Sequence, residues 1–174
     1  VTPSSPTAFS LYVRIPGWVA DEPVPGATYR YVDKQDSAKS LTLNGKPVQY
    51  TMQNGYAVIN RRWKKGDAIS LYLPMPVRRV TAIDSVKANK DRIALQRGPL
   101  VYCVEQPDNE GKTESFIIPQ DAAFDASFDK DLLNGVVTIK TKVPVIKTTN
   151  NGQSLKMEKD TITAIHYFSW ANRG

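Results

Sequence analysis

The chain has 174 residues, 41% hydrophobic, 23% charged and 9% aromatic, with 10 Gly, 12 Pro, one Cys and one His. A chain of this length buries roughly 70% of its unfolded surface, enough to build a real core. Composition excludes a membrane-spanning helix, which needs about 18 consecutive apolar residues. It also excludes an internal disulfide and, with Cys103 and His166 the only thiol and imidazole, nearly every zinc site built on those ligands.

Charge is unevenly placed. Residues 1–105 hold 15 basic and 8 acidic groups, whereas residues 106–174 hold 8 basic and 9 acidic groups. The shift predicts two parts, a first β-sandwich over 1–105 and a second, smaller segment over 106–174. The opening Val1-Thr2-Pro3-Ser4-Ser5-Pro6 has neither a basic nor an apolar stretch. It therefore reads as an extended connector rather than a signal peptide, and its lack of Met points to a piece of a longer protein.

In chain order, period-2 alternation dominates. Phe9, Leu11, Val13 and Ile15 share one face of a half-buried strand that Pro16-Gly17 ends. Leu41-Thr42-Leu43 runs into Asn44-Gly45, a strong hairpin signal, and Val48-Gln49-Tyr50 is expected as the returning strand. Asn54-Gly55 then introduces Tyr56–Ile59, and Ile69–Leu73 alternates up to Pro74. Asp84–Gln96 is rich in helix formers, but Val86, Ile93 and Leu95 lack helical spacing, so strand, turn, strand is expected. Arg92–Gln96 and Leu100–Val104 bracket the Gly98-Pro99 turn. Val136–Ile139 and Ile162–Phe168 are further strands, with one helical turn expected at Asp129–Leu133 and a polar loop at Thr148–Ser154. Short strands separated by Gly, Asn and Pro predict an all-β, antiparallel sandwich of jelly-roll type, as two small sandwiches in tandem.

Chemistry-bearing residues are sparse. Arg61, Arg62, Lys64 and Lys65 flank Trp63, which suggests either a nucleic-acid or anionic-glycan patch or, as the favoured reading, a solvated turn before Gly66-Asp67. Cys103 lies in an apolar strand and reads as a small core residue, and His166 reads as a structural strand histidine. The carboxylates lie mainly in loops, Asp21, Glu22, Asp33, Asp36, Asp108, Glu110, Asp125, Asp129 and Asp131 among them, and nothing in the sequence pairs them as glycoside hydrolysis requires. Trp18, Trp63 and Trp170 are candidates for sugar contact, with core packing as the competing reading.

Several segments in this order resemble a known family. They are Leu11–Trp18, Leu43–Val48, Asn54–Ile59, Arg62–Asp67, Leu73–Met75, Arg92–Tyr102, Ala164-Ile165 and Trp170–Gly174. Together they resemble the C-terminal β-sandwich region of glycoside hydrolase family 127, the β-L-arabinofuranosidases. The resemblance implies an upstream (α/α)6 barrel that carries a zinc-bound Cys nucleophile and a Glu acid/base, with no cofactor or catalytic residue in the present segment. Cys103 lies outside the family's paired-Cys motif, and His166 stands where the family commonly has Pro. The resemblance also implies that the chain starts after the first sandwich strand and stops before the last. The expected role is an accessory region that supports the barrel or a homodimer, and the alternative is a carbohydrate-binding module. Neither nucleic acid nor membrane is an expected partner, and a periplasmic or secreted location is favoured over the cytoplasm.

Overall fold

The computed structural model describes residues 1–33, 38–110, 113, 115–149 and 154–172. The β-strands are β1 (Thr7–Arg14), β2 (Tyr29–Tyr31), β3 (Ser40–Leu43), β4 (Lys46–Pro47), β5 (Thr51–Gln53), β6 (Tyr56–Trp63), β7 (Ile69–Tyr72), β8 (Val77–Ala82), β9 (Ala94–Arg97), β10 (Leu100–Val104), β11 (Asp125–Asp129), β12 (Val136–Thr149) and β13 (Ser154–His166). Short 3-10 turns occupy Gly17–Ala20, Lys87–Asn89, Gln106–Asp108 and Tyr167–Ser169. The protein is an all-β sandwich, and among the described residues no helix is long and apolar enough to cross a membrane. Two compact units divide the chain, Val1–Ile93 and Ala94–Gly174.

In the first unit, β1-β6-β5 and β4-β3-β7 form two three-stranded antiparallel sheets. Period-2 alternation puts Leu11 and Val13 of β1 beside Ile59 and Ala57 of β6. These meet Leu41 and Leu43 of β3 and Ile69 and Leu71 of β7, so the core lies between the sheets, closed by Ile15 and Trp63. Both Asn-Gly pairs are left-handed turns, with φ of 52° and 78° at Asn44-Gly45 and 49° and 78° at Asn54-Gly55, the conformation that matches strand twist in a two-residue hairpin. Val48–Tyr50 is not a strand. The chain there leaves the β3 sheet to enter the β6 sheet through β5, and the returning strand of the first hairpin is the two-residue β4.

The second unit is built on the antiparallel run β11-β12-β13-β10-β9. Its longest element is the β12–β13 hairpin, paired from Ile139↔Ala164 to Thr149↔Ser154. Val143, Val145 and Ile162 are buried on one face, beneath Val104, Phe116 and Ile118. Asp129–Leu133 does not make the expected helical turn. Leu133 and Asn134 both take positive φ, of 50° and 62°, which reverses the chain into a hairpin rather than a right-handed helix. The charge step at residue 105 falls just after β10, inside this unit. Asp36, Arg173, Gly174 and the middle of the expected polar loop, residues 150–153, lie outside the described residues.

Candidate functional site

The three tryptophans sit in different settings. Trp63 ends β6 on its inward face and is 0% exposed. Its indole donates from Nε1 to the Phe9 carbonyl at 2.9 Å and stacks on the Phe9 ring at 5.7 Å. Arg61, two residues earlier on the same face, lies 5.3 Å from the Trp63 ring. No face of Trp63 is left for a sugar or a base, so it is a core residue and its assignment as a sugar contact is corrected here. Of its basic neighbours, Arg61 also approaches Asp67, at 3.9 Å. Asp67 accepts from the Lys64 amide and the Asn44 side chain, both at 2.9 Å, and these bonds hold its carboxyl below the usual range. The basic cluster therefore leads into a turn that this carboxylate closes.

Trp18 is half-buried in the Gly17–Ala20 turn and helps line an open cleft of about 430 Å³ with Arg14, Glu22, Val24, Met52 and Asn54. The polar groups of this cleft are engaged locally. Arg14 donates to the Gly55 carbonyl at 2.7 Å and lies over the Tyr56 ring, and Glu22 accepts from the Gly26 amide at 3.4 Å. Trp170 is 57% exposed and stacks on Tyr167 at 6.1 Å. It borders a smaller cleft, about 340 Å³, with Glu105, Gln106 and Pro107.

Carboxylates across both units bind structural donors. Asp33 accepts from Arg79 through both oxygens, and Arg79 holds its carboxyl low. Asp21 pairs at 2.5 Å with Arg78, whose guanidinium sits 3.4 Å over the Tyr31 ring and also donates to the Asp33 carbonyl. This network joins the turn at Asp21 to β8 and the segment after β2, and sequence alternation cannot find it because its acids come from loops. Burial is the main cause that raises the Tyr31 hydroxyl above its usual range. Glu158 bridges Lys147 and Lys156 and is held down to about 2. Glu105, 6% exposed, accepts from the Ala171 amide at 2.7 Å. Asp33, Asp67 and Glu158 thus move downward, away from the raised pKa that a general acid needs.

The zinc chemistry implied by the resemblance does not fit these residues. Cys103 is in register with Ile165, and His166 with Tyr102. Adjacent residues of a strand point to opposite faces, so the thiol and the imidazole cannot converge on one ion. Among the described residues, no three His, Cys, Asp or Glu side chains gather as metal ligands would.

Comparison with known proteins decides the family. The model of the glycoside hydrolase family 127 C-terminal domain matches residues 77–174, and that of the beta-L-arabinofuranosidase GH127 middle domain matches residues 1–75. The chain belongs to glycoside hydrolase family 127. A non-reducing end beta-L-arabinofuranosidase from Bifidobacterium longum subsp. longum is 32% identical, over 98% of this chain and 26% of the relative. Among solved structures, a GH127 beta-arabinofuranosidase superposes with a TM-score of 0.90 at 36% identity, covering 97% of this chain and 26% of that one. The GH127 beta-L-arabinofuranosidase of Geobacillus stearothermophilus T6 gives a TM-score of 0.81 at 36% identity, with 99% and 26% covered. The GH127 chain therefore spans about a quarter of the length of these relatives. The alternative of a carbohydrate-binding module finds no support in these matches.

Proposed function

We propose that this chain is the accessory β-sandwich region of a GH127 glycoside hydrolase of β-L-arabinofuranosidase type, and that it supports a catalytic barrel encoded elsewhere in the same polypeptide. The observation that carries this reading is coverage. Two consecutive domain models account for nearly the whole chain, yet the chain spans only about a quarter of the enzymes it resembles. The chemistry of the segment agrees, since Asp21, Asp33, Asp67, Glu105 and Glu158 are engaged in turns and ion pairs. In this reading the partners are the barrel and, in an oligomer, a second copy, while substrate and zinc belong to the barrel.

The test compares β-L-arabinofuranoside hydrolysis by the 174-residue chain with that by the complete enzyme. Turnover is expected only from the complete enzyme. Turnover by the chain itself, free of contaminating hydrolase, overturns the proposal. Deleting this region from the complete enzyme is expected to leave the barrel insoluble or with a lowered melting midpoint, whereas an unaffected barrel overturns the supporting role.

A further inference from the structure

His166 is the chain's single histidine and the last residue of β13. It is 7% exposed, and neither ring nitrogen has a hydrogen-bond partner. Its ring stacks on Phe168 with centroids 4.9 Å apart and meets Tyr102 edge-on at 4.8 Å. A neutral imidazole left without partners already carries a desolvation cost, and protonation adds a second unmet donor and a full charge.

Among the described residues, the surrounding face offers that charge no anion. It carries Ile139 from β12, Tyr102 and Val104 from β10, and Leu95 and Arg97 from β9. Its titratable members near the ring are thus Tyr102 and the cationic Arg97, with Tyr167 on the adjoining turn. Cys103 and Glu105 of β10 point to the other face, and Glu105 is bound to the Ala171 amide. Asp160 and Glu158 share the face of His166 but lie about 20 Å or more along β13 and are paired with Lys147. Burial first, and then the charge of Arg97, hold the imidazole below its ordinary pKa of 6.5.

We propose that His166 is an acid-responsive latch: when the ring takes up a proton it leaves its place between Tyr102 and Phe168, and the Tyr167–Ser169 turn is released together with Trp170 and the Glu105–Ala171 bond. The turn begins at His166 and packs Phe168 back onto it, so the ring is the link between β13 and the segment that follows. The folded state binds the proton less readily than the unfolded chain. The latch therefore contributes fully above about pH 6.5 and is lost as pH falls from there through the folded-state value, by at most about tenfold in the unfolding constant per pH unit. This inference stands apart from the proposed accessory role, because it concerns the second unit by itself.

The test follows the single imidazole of the intact chain by NMR, with urea unfolding and exchange of the Ala171 amide measured from pH 8 to 5. The expected result is an imidazole that titrates below 6.5, an unfolding midpoint that falls with acidification, and a falling protection factor at Ala171, its exchange taken relative to an unprotected amide at each pH, over the same interval. His166→Phe keeps the stack and should flatten the dependence above about pH 5, with His166→Gln as a second neutral side chain, and Glu105→Gln should retain it. An imidazole titrating at or above 6.5 overturns the latch. So does an unchanged pH dependence in the His166 variants, its loss in Glu105→Gln instead, or an Ala171 protection factor that ignores pH.

Discussion

Trp63 shows how a charged neighbourhood can mislead. Arg61-Arg62 and Lys64-Lys65 make the segment look exposed, yet alternation along β6 turns Ala57, Ile59 and Trp63 inward, and the indole is fully buried. The missing signal was the register of β1, which brings the Phe9 carbonyl to the indole N–H. Trp63→Ala should cost about 3–5 kcal/mol in urea unfolding, and Trp63→Phe less, because it keeps most of the packing and loses the hydrogen bond. A smaller loss for the alanine variant, comparable to that of a surface change, would contradict the core role. Acid sensitivity belongs at this scale as well. Asp33 and Asp67 are held below 3.8, and Glu158 below 4.5, by the donors that face them. The stability they add is therefore present above about pH 4.5 and is lost as pH falls through their lower folded-state values. Asp33→Asn should blunt this loss in a melting series from pH 5 to 2, and an unchanged series would deny the carboxylate its part.

At the scale of elements, the hairpins were the most legible feature, because a two-residue Asn-Gly turn between alternating strands has a direct conformational cause. The two turns differ in what surrounds them. A Cβ at Gly45 meets nothing within 4 Å, whereas one at Gly55 collides with the Arg14 guanidinium that holds the Gly55 carbonyl. Gly45→Ala should cost about 1–2 kcal/mol for its left-handed backbone alone. Gly55→Ala should cost more in the same unfolding assay, and equal losses would show that Arg14 yields freely. The long hairpin was legible only in part. The expected strand stops at Ile139, yet Lys140, Lys142 and Pro144 alternate with the buried Thr141, Val143 and Val145, and β12 continues to Thr149. Pro144 is tolerated because its nitrogen lies on the same side as its carbonyl, which accepts from the Ile117 amide at 3.0 Å, so the ladder to β13 loses no donor. Beyond it, Lys147, Lys156, Glu158 and Asp160 tie the two strands by ion pairs. These pairs face water, so raising salt should lower the melting midpoint of the wild type more than that of Glu158→Gln.

For the whole molecule, composition and alternation sufficed for the all-β class. The compact units part at Ile93, and the two family models meet near residue 76. The placement of Cys103 and His166 on opposite faces makes a further expectation at this scale. A chelator should leave the melting midpoint of the chain unchanged, and a drop would reveal a structural metal. The turn chemistry also governs how the molecule ages. Deamidation of Asn-Gly begins when the glycine amide nitrogen attacks the asparagine side-chain carbonyl, which must swing free to be reached. Asn44 is clamped by Asp67 and by the Ala68 amide, at 2.9 and 2.8 Å, whereas Asn54 is exposed at the tip of its hairpin. Stored protein should therefore gain acidic, backbone-lengthened isoaspartate at Asn54, beside the Trp18 cleft, long before Asn44 is touched.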